Sequence, residues 1–180
     1  MVKNKKIYII SGERSGDLHA SNLIQAMKAT DPSIQFRGMG GYYSKEAGLD
    51  LAVDYSEVAL MGFIEVVLGF RKVIKYLSLI KKDLFNYKPD VLVLVDYGGF
   101  NMKIAEFAKA NHIPVHYYIP PKVWAWNQKR ALKLKAFTDK VYSILPFEPD
   151  FCKKYDMEVK YVGNPLLDEI KKFKAHDFFF

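Results

Sequence analysis

Two carboxylates stand at or soon after the ends of apolar runs in this chain. Residues 91–96, VLVLVD, carry five aliphatic side chains straight into Asp96; in residues 6–13, KIYIISGE, Ser11 and Gly12 separate the run from Glu13, for which a functional role is expected because no cap is needed there. A carboxylate delivered to the rim of a cleft can take a proton from a hydroxyl as a general base. At a strand end it can equally be a polar cap. Gly98 and Gly99 follow Asp96 and leave room beside it. Asp17 opens LHASNLIQAMKAT, where a carboxylate either caps a helix or contacts a ligand. His19 suits packing or a local hydrogen bond better than a metal.

Two further stretches could shape a binding site. GMGG, residues 38–41, either lets a ligand approach the backbone or makes a turn. YYIPPKVWAWNQKR places Trp124 and Trp126 beside a double proline, with Gln128 and Arg130 after them. That is either a rigid amphipathic wall for a sugar, acyl chain or base, or a piece of core. The glycine loop after the first strand fits neither the dinucleotide fingerprint nor the P-loop pattern.

The elements that must position these residues alternate. Strands are expected at 6–11, 34–37, 49–54, 91–96, 115–119, 141–145 and 159–163, with helices between them, beginning at Leu18 and Asn101. Such alternation gives an α/β, Rossmann-like, mostly parallel sheet with helices on both faces. Ligands of such sheets bind beyond the carboxyl ends of the strands. Residues 57–85 read as one or two helices broken near Gly62 or Gly69. Between residues 69 and 88 there are six Lys or Arg and one acid, next to the consecutive apolar run Val66, Val67 and Leu68 and to Phe70. An apolar tip beside a basic stripe is an interfacial pattern; the alternative is an ordinary helix with a solvated basic face.

The 180 residues suffice for one domain with a real core, and half are hydrophobic. A single cysteine, Cys152, excludes an internal disulfide and a cysteine-built metal site. The N-terminal apolar run leads into SGERSGD rather than a small-residue cleavage site, so no leader is expected. No stretch approaches the roughly 18 apolar residues of a spanning helix. The net charge of +7 would suit phosphorylated ligands, an anionic membrane surface or nucleic acid. No recognition-helix signature supports the last.

SGERSGDLH, RGMGG, MGFIEV, PDVLVLVDYGGFN, YYIPPKVWAW, LPFEPDF and YVGNPLLD occur in this order. Together they resemble the lipid-A-disaccharide synthases, glycosyltransferases of the GT-B type, over Ile7 to Ile170. The resemblance implies two Rossmann-like domains in the whole enzyme. Residues 1–163 are expected to form the acceptor-binding domain and 164–180 to begin an interdomain segment. The donor-binding domain is expected to lie outside these residues, and the end at Phe180 is expected to be a truncation. The implied reaction transfers 2,3-diacylglucosamine from its UDP derivative to 2,3-diacylglucosamine 1-phosphate. It forms a β-1,6 linkage, inverts the donor carbon and releases UDP.

No metal or cofactor is expected; the UDP-sugar is a substrate. The implied partners are lipid-linked sugars and the anionic cytoplasmic face of the bacterial inner membrane, with a homodimer of the full-length enzyme a further expectation and nucleic acid excluded. Asp96 is the expected base, with Glu13 as rival. Substrate contacts are expected from Ser11, Gly12, Ser15, Gly16, Asp17 and Gly40. Further contacts are expected from Gly99, Asn101, Trp124, Trp126, Gln128, Arg130 and Asn164. Membrane contact is expected from Met61, Phe63, Val66, Val67, Leu68, Phe70, Arg71 and Lys72. The chain departs from the family at two places. Where the family often reads D-x-P-D-F-N this chain reads DYGGFN, so Gly99 stands where the family's usual base is an aspartate. Asn164 stands where a histidine is frequent. The competing reading is a Rossmann-like nucleotide-binding module without transferase activity.

Overall fold

The computed structural model describes residues 4–59, 66–122 and 129–172. Its elements are β1 (Lys6–Ser11), α1 (Arg14–Thr30), β2 (Gln35–Gly40), α2 (Tyr42–Glu46), β3 (Asp50–Asp54) and α3 (Tyr55–Ala59). They continue with α4 (Val66–Tyr87), β4 (Val91–Val95), α5 (Gly98–Ala110), β5 (Val115–Tyr118) and α6 (Lys129–Phe137). The last are β6 (Lys140–Ser143), α7 (Glu148–Lys153), β7 (Lys160–Tyr161) and α8 (Pro165–Lys172).

The strands form one sheet in the order β3-β2-β1-β4-β5-β6-β7, and every neighbouring pair is parallel. The expected α/β class is therefore observed. Successive side chains on a strand point to opposite faces, so a strand covered on both sides must be apolar throughout. β1 shows the division. Ile7 and Ile9 pack with Ala20 and Ile24 of α1, while Tyr8 and Ile10 pack with Tyr76, Ile80 and Leu84 of α4. β4 divides likewise, with Val93 and Val95 on the α1 side and Leu92 and Leu94 on the other.

A polar cluster ties α4 to the first three strands. The buried Tyr8 hydroxyl donates to Asp83 at 2.8 Å, and Arg37 donates to the same carboxylate through Nε at 2.9 Å and Nη2 at 2.8 Å. The Arg37 guanidinium also pairs with Asp50. This sets the angle at which α4 crosses the sheet, and hence where its N-terminal half meets the carboxyl edge.

Several expected boundaries move. The first glycine-rich loop is shorter than expected: α1 starts at Arg14, its first turn closed by the Asp17 N–H donating to the Glu13 carbonyl at 2.8 Å. GMGG is not a loop, because Gly38 to Gly40 lie inside β2. At Gly38, with φ of 150°, an added Cβ would run into the Ile9 carbonyl, so the glycine permits the close approach of β2 to β1. α5 starts at Gly98 rather than Asn101, and α4 runs through Gly69. α8 had no counterpart in the expected elements.

Candidate active site

β1 and β4 are hydrogen-bonded neighbours, with Ser11 opposite Val95, yet their connections leave in opposite directions. This is the switch point at which a doubly wound sheet opens a crevice. An open cleft of about 530 Å³ lies there. Glu13, from the turn after β1, and Asp96, from the turn after β4, both line it. The expected base and its rival thus share one cavity. Neither carboxylate has a side-chain hydrogen bond or ion pair among the described residues. Gly98, Gly99 and Phe100 at the start of α5 complete that side, with Lys103 one turn further along. Val73 and Leu77, one turn apart on α4, form an apolar wall.

The backbone under Asp96 is strained. Asp96 and Tyr97 both have φ of 50°, two consecutive non-glycine residues in the left-handed region, at about 1–3 kcal/mol each. Such a conformation persists where the surroundings hold it. The Asp96 carbonyl accepts a hydrogen bond from the Tyr117 hydroxyl at 2.8 Å and another from Asn101 Nδ2 at 2.7 Å. Asn101 Nδ2 also reaches the Val95 carbonyl at 3.3 Å. Tyr117 and Asn101 are fully buried. Burial, opposed by a hydrogen bond with Asn101 and aided by the negative charge of Asp96, holds the Tyr117 phenol protonated well above its ordinary range, so it remains a donor. The Tyr97 ring occupies the space that a side chain on Gly12 would fill, and it stacks on Phe100 with centroids 5.4 Å apart. Burial and the Glu13 charge raise the Tyr97 phenol in turn.

The remaining expected site residues are placed as follows. Ser11 is buried beneath the cleft and donates to the Met39 carbonyl at 3.5 Å. Ser15 is exposed, while Gly16 packs at ordinary contact distance against Ser11 and Asp96. Asp17 does not cap its own helix and is not open to a ligand. It is completely buried, and its carboxylate accepts from the backbone N–H groups of Gly41 at 2.8 Å, Tyr43 at 2.9 Å and Ser44 at 3.2 Å. It therefore caps α2 from the first turn of α1, satisfying N–H groups that a helix start leaves unpaired.

Gly40 is likewise interior. Its missing side chain is replaced by Leu49 and Ser44, whose nearest atoms would stand 2.9 and 3.0 Å from a Cβ. Asn164 caps α8, its Oδ1 accepting from the Leu166 N–H at 3.0 Å. Arg130 is exposed on α6 and does not line the cleft. Trp124, Trp126, Gln128, Met61 and Phe63 lie outside the described residues. Val66, Val67, Leu68 and Phe70 belong to the first turns of α4, and Arg71 and Lys72 follow them.

The sequence reading missed Lys103, Val73, Leu77, Tyr97 and Tyr117 as cleft or support residues. The first three carry a usable signal: Lys103 is four residues after Gly99, and Val73 and Leu77 are four apart, which puts each pair on one helix face. Tyr117 carries none, since a tyrosine inside VHYY reads as core.

Chemically, the cleft brings two carboxylates and an ammonium group, each unpaired among the described residues, and an apolar wall to one edge of the sheet. That arrangement can deprotonate a hydroxyl while holding a ligand with an anionic group and a hydrocarbon part.

Among solved structures, the chain resembles a UDP-N-acetylglucosamine 2-epimerase from Listeria monocytogenes, with a TM-score of 0.71 at 11% identity over 97% of this chain and 50% of that one. It also resembles MurG of Acinetobacter baumannii, with a TM-score of 0.57 at 13% identity over 97% and 50%. At such identities the likeness extends to the GT-B fold and no further.

Sequence relatives are more informative. The chain is 39% identical over 176 residues to the lipid-A-disaccharide synthase of Syntrophus aciditrophicus, covering 98% of this chain and 46% of the relative. It is 40% identical over 167 residues to that of Geobacter metallireducens, covering 93% and 44%. It thus spans slightly less than half the length of these relatives. The model of the lipid-A-disaccharide synthetase family matches residues 7–179, and the chain belongs to that family.

Proposed function

We propose that this chain is the acceptor-binding half of a membrane-peripheral glycosyltransferase that makes the lipid A disaccharide. The reading is carried by one observation: two unpaired carboxylates and an apolar wall share the cleft at the β1/β4 switch point. The acceptor, 2,3-diacylglucosamine 1-phosphate, lies in this cleft with its acyl chains along Val73 and Leu77 of α4. Asp96 takes the proton from the acceptor 6-hydroxyl, with Glu13 as the alternative base. As that proton leaves, the oxygen forms a bond to the donor anomeric carbon from the face opposite UDP. The bond from that carbon to the UDP oxygen breaks, its electron pair leaves with UDP, and the carbon inverts to give the β-1,6 linkage. Groups that stabilise the charge growing on UDP belong to the donor half. α4 continues from the apolar wall to Val66, with Arg71 and Lys72 beside it, a pattern suited to an anionic lipid surface on the cytoplasmic face. In the longer enzyme, two copies pair as a homodimer.

The test is a two-chain assay. This chain is mixed with the C-terminal half of the Syntrophus aciditrophicus relative and supplied with UDP-2,3-diacylglucosamine and the acceptor in mixed micelles. Disaccharide and UDP are expected by mass spectrometry. Asp96→Ala should lower the rate at least about tenfold if Asp96 is the base. An unchanged rate for Asp96→Ala with a collapse for Glu13→Ala would transfer the role to Glu13. Absence of acceptor binding by the native chain would refute the reading.

A further inference from the structure

The cleft is polarised along α5, and the charge at its far end has no assignment. Lys103 lines the cavity with Glu13 and Asp96, is solvent-exposed, and has no ion pair or hydrogen bond among the described residues. Some other cations of the domain are engaged, as Arg37 is with Asp50 and Asp83, Lys109 with Asp139, and Lys153 with Asp150; what sets Lys103 apart is its place in the lining of the cleft. An unpaired ammonium group in a cleft that also holds two unpaired carboxylates offers an anion a place while the carboxylates are left free. Lys103 stands one helical turn, about 6 Å, beyond Gly99 on the same face of α5. At Gly99 an added Cβ would meet nothing within 4 Å. The floor between the carboxylate end and Lys103 is therefore open, and wide enough for one sugar ring. Val73 and Leu77 flank the same space.

Resting on the acceptor-cleft reading above, we propose that Lys103 is the phosphate-recognising residue of this cleft, for a phosphomonoester carried on an acylated amino sugar. The geometry assigns the two ends of such a ligand. Its reacting hydroxyl faces Asp96 and Glu13, its phosphate faces Lys103 one ring away, and its hydrocarbon lies on α4. An ammonium is a compact charge with three rotatable donors, which suits a tetrahedral phosphomonoester. The two carboxylates repel the phosphate, so the ligand has one favoured orientation. Lys103 thus orients the acceptor as well as binding it.

The experiment measures binding to the intact chain in neutral detergent micelles. Three probes are compared: acylated glucosamine 1-phosphate, the same lipid without its phosphate, and water-soluble glucosamine 1-phosphate as competitor. Phosphatidylglycerol serves as a second competitor that offers a lipid phosphate without the sugar. The native chain should prefer the phosphorylated lipid about tenfold, the scale of one hydrogen-bonded charge pair in a partly open site. Lys103→Gln should abolish that preference and leave affinity for the dephosphorylated lipid unchanged, while Lys103→Arg should keep it. Glucosamine 1-phosphate should compete with the native chain, and phosphatidylglycerol should not. A preference that survives in Lys103→Gln overturns the proposal and leaves the acceptor-cleft reading standing. Equal native affinity for the two lipids does the same. Equal competition by phosphatidylglycerol overturns the sugar-phosphate assignment. Failure of the native chain to bind either lipid overturns both readings.

Discussion

The hydroxyl of Tyr117 on β5 donates a 2.8 Å hydrogen bond to the backbone carbonyl of Asp96, the residue that carries a free carboxylate into the cleft. A phenol buried in the sheet thus holds the left-handed backbone of a cleft acid from behind, while the acid's side chain has no hydrogen bond or ion pair among the described residues. Asn101 supplies a second bond to the same carbonyl at 2.7 Å. Tyr117→Phe removes one of the two donors with little change in shape. The expected loss is about 1 kcal/mol of stability, visible as a melting temperature a few degrees lower. Acceptor affinity should fall with it, because the strained turn relaxes towards ordinary backbone. An unchanged affinity with only the stability loss would show that the turn is held by Asn101 alone.

Asp17 makes a sharper prediction. Its buried carboxylate serves three backbone N–H groups at the start of α2, and the Ser44 hydroxyl returns a bond to the Asp17 carbonyl at 3.2 Å. Asp17→Ala leaves those donors buried and unpaired, which should cost about 2–4 kcal/mol in urea unfolding. Asp17→Asn keeps one acceptor oxygen and should cost roughly half as much. The effect is on folding; cleft chemistry should change only as far as α2 and β2 loosen.

These two residues mark how far the sequence was legible. VLVLVD and KIYIIS read correctly as buried strands because a parallel strand must be apolar on both faces, and that leaves an unbroken run. Asp96 was readable for the same reason, as the carboxylate that ends such a run, whereas Glu13 came forward as a base only through the family resemblance. GMGG was misread because its glycines look like a turn, whereas Gly38 is there so that β2 can press against the Ile9 carbonyl. That is a property of the neighbour and leaves no periodicity. α8 was missed because PLLDEIKK turns its apolar residues outward, with Leu166, Leu167 and Ile170 between 56% and 60% exposed, while Glu169 faces Asn22 of α1 at 2.8 Å. Its pattern does not point at the core of this domain.

Acid should destabilise the domain through its histidines. Burial pushes the His19 imidazole below its ordinary value of 6.5, against the opposing charges of Asp96 and Glu169. Burial also lowers His116, helped by Lys140 and opposed by Asp139. Each folded-state value lies below the unfolded one, so between the two the unfolded chain binds more protons. Stability is then full above pH 6.5 and falls as the pH drops through that value towards the folded-state pKa. Urea unfolding between pH 8 and pH 5 should show the decline, and His19→Gln should flatten it. A slope that His19→Gln leaves unchanged would show that His19 takes no part.

Gly12, packed against the Tyr97 ring, and Gly99, which lines the cleft, predict opposite outcomes. At Gly12 an added methyl group would enter the Tyr97 ring, whose position is fixed by a strained backbone and by stacking on Phe100. Gly12→Ala must displace that ring, so it should lower stability by about 1–3 kcal/mol and weaken acceptor binding. At Gly99 nothing stands within 4 Å of an added Cβ, and the residue is the second of α5, where a carboxylate meets the positive end of the helix. Gly99→Asp should therefore fold with stability within about 0.5 kcal/mol of the native chain or better. It also puts a carboxylate on the cleft side of α5, one helical turn from Lys103. In the two-chain assay Gly99→Asp should raise turnover in the Asp96→Ala background, where the new carboxylate supplies the missing base. A folded Gly99→Asp chain with no gain in the Asp96→Ala background would show that Asp96 holds more than the base role, and that the acceptor depends on it for position.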